Sequence, residues 1–162
     1  MAKGTIIESV KDALAVGSTI VESATREIVW LLPPAMLVLA AQYGIHDKSI
    51  TLIERGGRVQ GLFRISAPYV ELARSFLDGG ENLRHIEHHE GVFFLVGDKK
   101  QSISSMHINP DDLSLDDPLV AFWSEDPSYA EYLLSDFESA WLQSVDARET
   151  IKLLTDRGQQ QR

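Results

Sequence analysis

The sequence predicts an α/β fold: a mixed, largely parallel β-sheet flanked by helices on both faces, with a long C-terminal helix. Three observations predict it. In the first half, short apolar runs (26–32 and 59–65) alternate with helical patterns, as strand–helix–strand units with parallel pairing do. In the middle, strand candidates at 82–88, 91–96 and 101–108 follow one another with only short connections, which brings antiparallel pairs into the sheet. From Asp126 to about residue 154, apolar residues recur near one helical face.

Each element has its local reason. Residues 1–25 are expected to hold an N-terminal amphipathic helix, because Ile6, Val10, Ala13, Leu14, Ile20 and Val21 recur at three- and four-residue steps. The run REIVWLL at 26–32 suits a buried strand, and Pro33-Pro34 ends it. The helix expected at 35–42 is apolar on most sides and so should be buried, with Gly44 as its C-terminal cap. A helix at 47–54 closes at Gly56-Gly57, and a strand at 59–65 follows. A helix at 68–77 opens at Pro68 and stops at Gly79-Gly80. Gly97-Asp98-Lys99-Lys100 reads as a hairpin turn between two strands. The acidic stretch NPDDLSLDDP at 109–118 reads as a loop, and LVAFW at 119–123 as a buried strand. Asp126-Pro127 starts the last helix, with a bend expected around Val145-Asp146 and a frayed tail at 158–162. Residues 26–157 are thus expected to form one α/β domain.

Composition narrows the function. With 162 residues, 44% hydrophobic and 24% charged, the chain has the make-up of a globular domain and not of a disordered one. A net charge of −9 lacks the basic footprint of nucleic-acid binding and disfavours acidic bilayers, so neither is expected as a direct partner. The absence of cysteine removes disulfides, thiolate zinc sites and cysteine nucleophiles. The uncharged run from Ile28 to Tyr43 is short for a membrane span and carries Pro33-Pro34 in its middle. The start has no signal-peptide core, and a cytoplasmic setting is expected.

The heptad RHIEHHE, residues 84–90, is the most distinctive stretch. On a strand, His85, Glu87 and His89 would share one face, and imidazoles with a carboxylate can hold zinc or iron. The competing reading is a solvated strand face with local charge pairing. Arg55-Gly56-Gly57-Arg58 offers either an anion-holding loop or a plain helix stop. Asp111-Asp112 and Asp116-Asp117 do not have the spacing of a calcium loop and read as turn residues. Ser104, Ser105 and His107 put serine near histidine without a nucleophile elbow. Trp123, Phe137 and Trp141 read as core or interface aromatics.

Four stretches carry a family resemblance: REIVWLLP with the apolar helix after it, NLRHIEHH, GVFFLVGDKKQSISSM, and AFWSEDPSYAEYLLSDFESAWLQS with its Phe137/Trp141 pair. In pattern and order the chain resembles a phospholipase D-like domain, of the type that serves as sensor in sugar-responsive transcriptional regulators. Active members carry a His-x-Lys-x4-Asp motif, in which the histidine attacks phosphorus and the lysine holds phosphate oxygens. Aligned on Asp98, the histidine position is Gly91 and the lysine position is Phe93. The resemblance therefore implies a degenerate, non-catalytic domain that senses a small ligand or mediates association. Arg64, Arg84, Asp98 and Ser104 are the expected ligand-binding residues, for a small or anionic ligand, and no cofactor is expected. The resemblance also implies a homodimer, with output through a protein partner. The alternative is a phosphodiester or metal-dependent hydrolase built on His85, Glu87 and His89.

Overall fold

A computed structural model describes residues 4–106, 109 and 111–160. Its centre is an eight-stranded mixed sheet. The strands are β1 (Gly4–Ser9), β2 (Glu27–Leu31), β3 (Arg58–Phe63), β4 (Asn82–His85), β5 (Phe93–Gly97), β6 (Gln101–Ser105), β7 (Pro118–Ser124) and β8 (Val145–Asp146). They lie in the order β1-β7-β6-β5-β2-β3-β4-β8. The mixed sheet is the one expected, but parallel pairing is confined to β2–β3 and β3–β4. The other five junctions are antiparallel. The β5–β6–β7 meander docks antiparallel on β2, which no local feature of the sequence announces.

Helices α1 (Val10–Ser23), α2 (Pro34–Gln42), α3 (Ile45–Glu54), α4 (Val70–Asp78), α5 (Pro127–Gln143) and α6 (Ala147–Gln160) cover the sheet. Strand alternation sends Ile28, Trp30, Val59, Phe63 and Leu95 to one face, where they form one cluster with buried residues of α1 to α4 and α6. Val29, Leu31, Leu62, Phe94 and Val96 point the other way and pack on Ala130, Leu133, Phe137 and Ala140 of α5. One helix therefore covers one face alone. Trp30 and Gly61 show how tight the multi-helix face is: a Cβ on Gly61 would lie 2.1 Å from the Trp30 ring.

Four sequence expectations are corrected. The helix expected through residues 5–25 begins only at Val10; Gly4–Ser9 is an edge strand paired with β7. Ser9 is the N-cap, its side chain accepting from the Asp12 N–H, so a Ser-x-x-Asp signal marked the true start. The strand expected at 82–88 stops at His85. The C-terminal helical run is two helices, separated where Val145–Asp146 pairs with β4; Asp146 then accepts the Arg148 N–H at the start of α6. Residues 158–160 of the expected tail are still helical, while 161 and 162 lie outside the described residues.

Candidate functional site

The C-terminal ends of the parallel strands β2, β3 and β4 are where an open α/β sheet usually carries its chemistry. Arg64 follows β3 there, His85 ends β4, and the loop His88-His89-Glu90-Gly91 leads into Phe93, the first residue of β5. His85 is 7% exposed. Its Nδ1 accepts the Ile65 N–H at 2.9 Å, and Nε2 lies 2.7 Å from Glu87 Oε2. The first contact fixes the tautomer: the ring proton sits on Nε2 and is directed at Glu87. The hydrogen bond from His85 lowers the Glu87 pKa below the usual carboxylate range, against partial desolvation, and the Arg64 guanidinium adds to the lowering.

This arrangement leaves His85 no lone pair for attack or for a metal, since one nitrogen carries a proton and the other accepts a backbone bond. The three expected metal ligands are not brought together either. Because β4 ends at His85, strand alternation does not continue to His89. His89 instead donates from Nε2 to the Val92 carbonyl (2.9 Å) and sets its ring edge-on to Phe93. His88 is exposed and lies 3.2 Å from Glu90. Among the described residues, no group of three His, Asp or Glu is placed to hold a metal ion.

The four expected ligand-binding residues are spread over the sheet. Asp98 sits at the opposite end of β5 from Phe93, at the start of a three-residue hairpin connection (98–100) in which Asp98 and Lys99 both have positive φ (51° and 58°). Its carboxylate accepts the backbone N–H groups of Thr25, Arg26 and Glu27, each at 2.9 Å. Burial alone would raise its pKa, but these donors outweigh burial and hold it below the ordinary value. Asp98 therefore clamps the β5–β6 turn to the entry of β2. Arg84 holds the α5–β8 junction: Nε and a terminal nitrogen donate to the Ser144 hydroxyl (2.7 Å) and carbonyl (2.9 Å), with the guanidinium over the Trp141 ring. Ser104 is buried and shares a 2.8 Å hydrogen bond with the Tyr129 hydroxyl. Arg64 is exposed beside Glu87. His107, the partner expected for Ser104 and Ser105, lies outside the described residues.

Two groups escaped sequence reasoning. Glu27, largely buried, receives two donors from Arg58, which commits one arginine of the Arg55–Arg58 loop. Glu81, just after Gly79-Gly80, is buried beneath Trp30, whose Nε1 donates to Oε1 at 3.1 Å. His46 Nδ1 lies 3.0 Å from Glu81 Oε2, but the angles do not make a hydrogen bond, and neither atom has another partner among the described residues. The nearby Glu81 carboxylate raises the His46 pKa above its ordinary value, against the opposing effect of burial. A charged residue directly after a glycine stop is a weak cue, and nothing local couples it to His46.

Comparison with solved structures decides the fold. The chain superimposes on Nuc from Salmonella typhimurium, a phospholipase D family member, with a TM-score of 0.70 at 13% identity, covering 90% of this chain and 98% of that one. The fold is phospholipase D-like. NucT from Helicobacter pylori matches with a TM-score of 0.68 at 11% identity, covering 90% of this chain and 99% of that one. TrmBL2, an archaeal chromatin protein with a novel mode of DNA binding, matches with a TM-score of 0.69 at 14% identity over 89% of this chain. Against TrmBL2 the chain spans only about half, 54%, of the larger protein. No family model and no curated protein matches the sequence. Among the described residues no helix is long and apolar enough to cross a membrane.

Proposed function

We propose that this phospholipase D-like chain is a non-catalytic, regulatory binding domain that recognises a small ligand and associates with a second copy of itself. One observation carries the reading. The positions that align with the attacking histidine and the phosphate-holding lysine are Gly91, exposed and without a side chain, and Phe93, whose ring packs against both hydrophobic clusters. His85, the buried imidazole at the end of β4, has both nitrogens engaged, and His89 beside Phe93 commits Nε2 to the Val92 carbonyl. A phosphoryl-transfer site needs a free nucleophile and cations aimed at the phosphate, and among the described residues the aligned motif positions supply neither. The acidic chain offers no footprint for a phosphate backbone, so the DNA binding of TrmBL2 is not carried over. A reducing, cytoplasmic setting accords with the absence of cysteine.

Association has its own support. On the sheet face that α5 leaves open, Ile6 pairs with Phe122, and Val120 lies two residues along on the same face. Phe122 meets Tyr129 edge-on, and Tyr129 stacks on Tyr132. Ile6, Val120 and Tyr132 are 58%, 70% and 65% exposed, an apolar patch suited to a two-fold partner.

The test is hydrolysis of bis(p-nitrophenyl) phosphate, alongside sedimentation of wild type and Val120→Asp. No turnover, with a dimer that Val120→Asp splits, is the expected result. Turnover that disappears in His85→Ala would install the hydrolase reading in its place.

A further inference from the structure

The multi-helix face of the sheet holds an apolar channel that, of the motif positions and the expected ligand residues, touches only Phe93 and Ser104. Its floor is built strand by strand: Leu119 and Ala121 from β7, Ile103 from β6, Phe93 and Leu95 from β5, then Ile28 and Trp30 from β2. Crossing from β7 to β2 takes three strand spacings, about 14 Å. Ala13, Leu14 and Gly17 of α1 and Met36, Leu37 and Ala40 of α2 roof it. The cavity volume is only about 80 Å³. So small a volume along so long a lining suits a slender alkyl chain. A sugar ring, with its shell of hydroxyls, fits neither the shape nor the walls.

The roof is unusual. Helix α2 is apolar on every side, which normally means full burial. Yet only Pro34 to Leu37 are buried, and Val38 to Ala41 stay partly exposed. The chemistry at the far end is sharper. Glu81 lines the channel with a side chain only 2% exposed, and its Oε2 has no hydrogen-bond partner among the described residues. His46 Nδ1 lies 3.0 Å from that oxygen as an ion-pair partner, without hydrogen-bond geometry and with no other partner among the described residues. A buried carboxylate oxygen that is ion-paired but lacks a well-aligned hydrogen bond still gains from a donor that reaches it.

We propose that this channel binds a linear alkyl chain ending in a hydroxyl, the chain lying across β7 to β2 and the hydroxyl donating to Glu81 Oε2. A terminal carboxylate is rejected, because it would meet the Glu81 carboxylate at close range with little water between. The inference rests on the reading of the chain as a ligand-binding domain, and it names the ligand's chemical class.

The test is calorimetric titration of the full chain with primary 1-alkanols of increasing length and with the matching alkanoates, followed in parallel by tryptophan fluorescence. Affinity should rise about fourfold per added methylene until the channel is full, then level off. The alkanoate should bind at least tenfold more weakly than the alcohol, and Glu81→Gln should narrow that gap. Gly17→Leu should abolish binding without loss of fold, since a Cβ at Gly17 would meet only Ile45 Cδ1, at 3.8 Å, and leucine suits a helix better than glycine. Ala41→Phe, on the half-exposed side of α2, blocks the same channel if Gly17→Leu does not fold. Affinity that ignores chain length, or that survives both blocking variants, overturns the channel. Equal binding of alcohol and carboxylate overturns the role of Glu81. Phosphodiester turnover alongside alcohol binding would remove the non-catalytic reading and leave the channel. Silence in both assays would do the reverse.

Discussion

Asp98→Ala separates a structural aspartate from a ligand-binding one. The carboxylate accepts three backbone N–H groups, from Thr25, Arg26 and Glu27. At about 1 kcal/mol net for each bond lost, the three together contribute ~3 kcal/mol. Alanine at a φ of 51° adds about 1 kcal/mol of backbone strain. The expected loss is therefore about 4 kcal/mol, a large share of the roughly 5–15 kcal/mol that holds a domain together. Asp98→Asn should cost about half as much. Its remaining oxygen can still accept from Arg26 and Glu27, which share Oδ1, and asparagine tolerates the left-handed turn. Urea unfolding at constant m-value measures both. The depressed pKa adds a second signature: the charge contributes stability above the unfolded value of about 3.9, and that contribution is lost as pH falls through the lower folded value. The gap between wild type and Asp98→Asn should thus close in acid. An Asp98→Ala protein within ~0.5 kcal/mol of wild type would refute the clamp and return Asp98 to the candidate ligand residues.

Three further outcomes follow from the geometry. His46 has a raised folded pKa, so its pairing with Glu81 stabilises below the unfolded value of about 6.5 and fades as pH rises through the folded one; between pH 6 and 9 wild type should lose stability relative to Glu81→Gln, read from thermal midpoints. Arg84→Ala removes two hydrogen bonds to Ser144 and the contact with Trp141, and should cost about 2–3 kcal/mol in urea melts. Gly61→Ala places a Cβ 2.1 Å from a Trp30 ring that Glu81 and Phe76 hold in place, and should cost about 3 kcal/mol with a shifted tryptophan emission spectrum.

The sequence made the elements legible wherever one physical signal dominated. REIVWLL is apolar at nearly every position because β2 is buried on both faces, and all five of its residues are buried. Gly-Asp-Lys-Lys announced its turn through its glycine and aspartate, although the positive φ values fall on Asp98 and Lys99 and not on Gly97. The signal failed where two periods fit one stretch. Thr5-Ile6-Ile7-Glu8 suits a helix face as well as an edge strand, and only pairing with β7 decides. His85, Glu87 and His89 were read with a period of two that ends at His85, because the strand gives way to a loop there. The pair His46 and Glu81 was invisible for another reason: the contact forms only when α3 meets the α4–β4 turn, and no local pattern encodes it.

On the proposed non-catalytic reading, the same residues explain how the three aligned motif positions can differ in their importance to the fold. Of the three aligned motif positions, only Asp98 ties its side chain to the scaffold, by accepting backbone N–H groups. It works at the end of β5 remote from Gly91, through atoms that no substrate need touch. Glycine in place of histidine at 91 withholds no support from the sheet, since a Cβ there would meet nothing. A phenylalanine at 93 contributes to the packing, because its ring joins the clusters on the two faces at the edge where β5 begins. Substitution at the two chemical positions is thus cheap or favourable for folding, whereas substitution at the third is costly. That asymmetry predicts that the aspartate turn is kept for folding whether or not positions 91 and 93 carry chemistry.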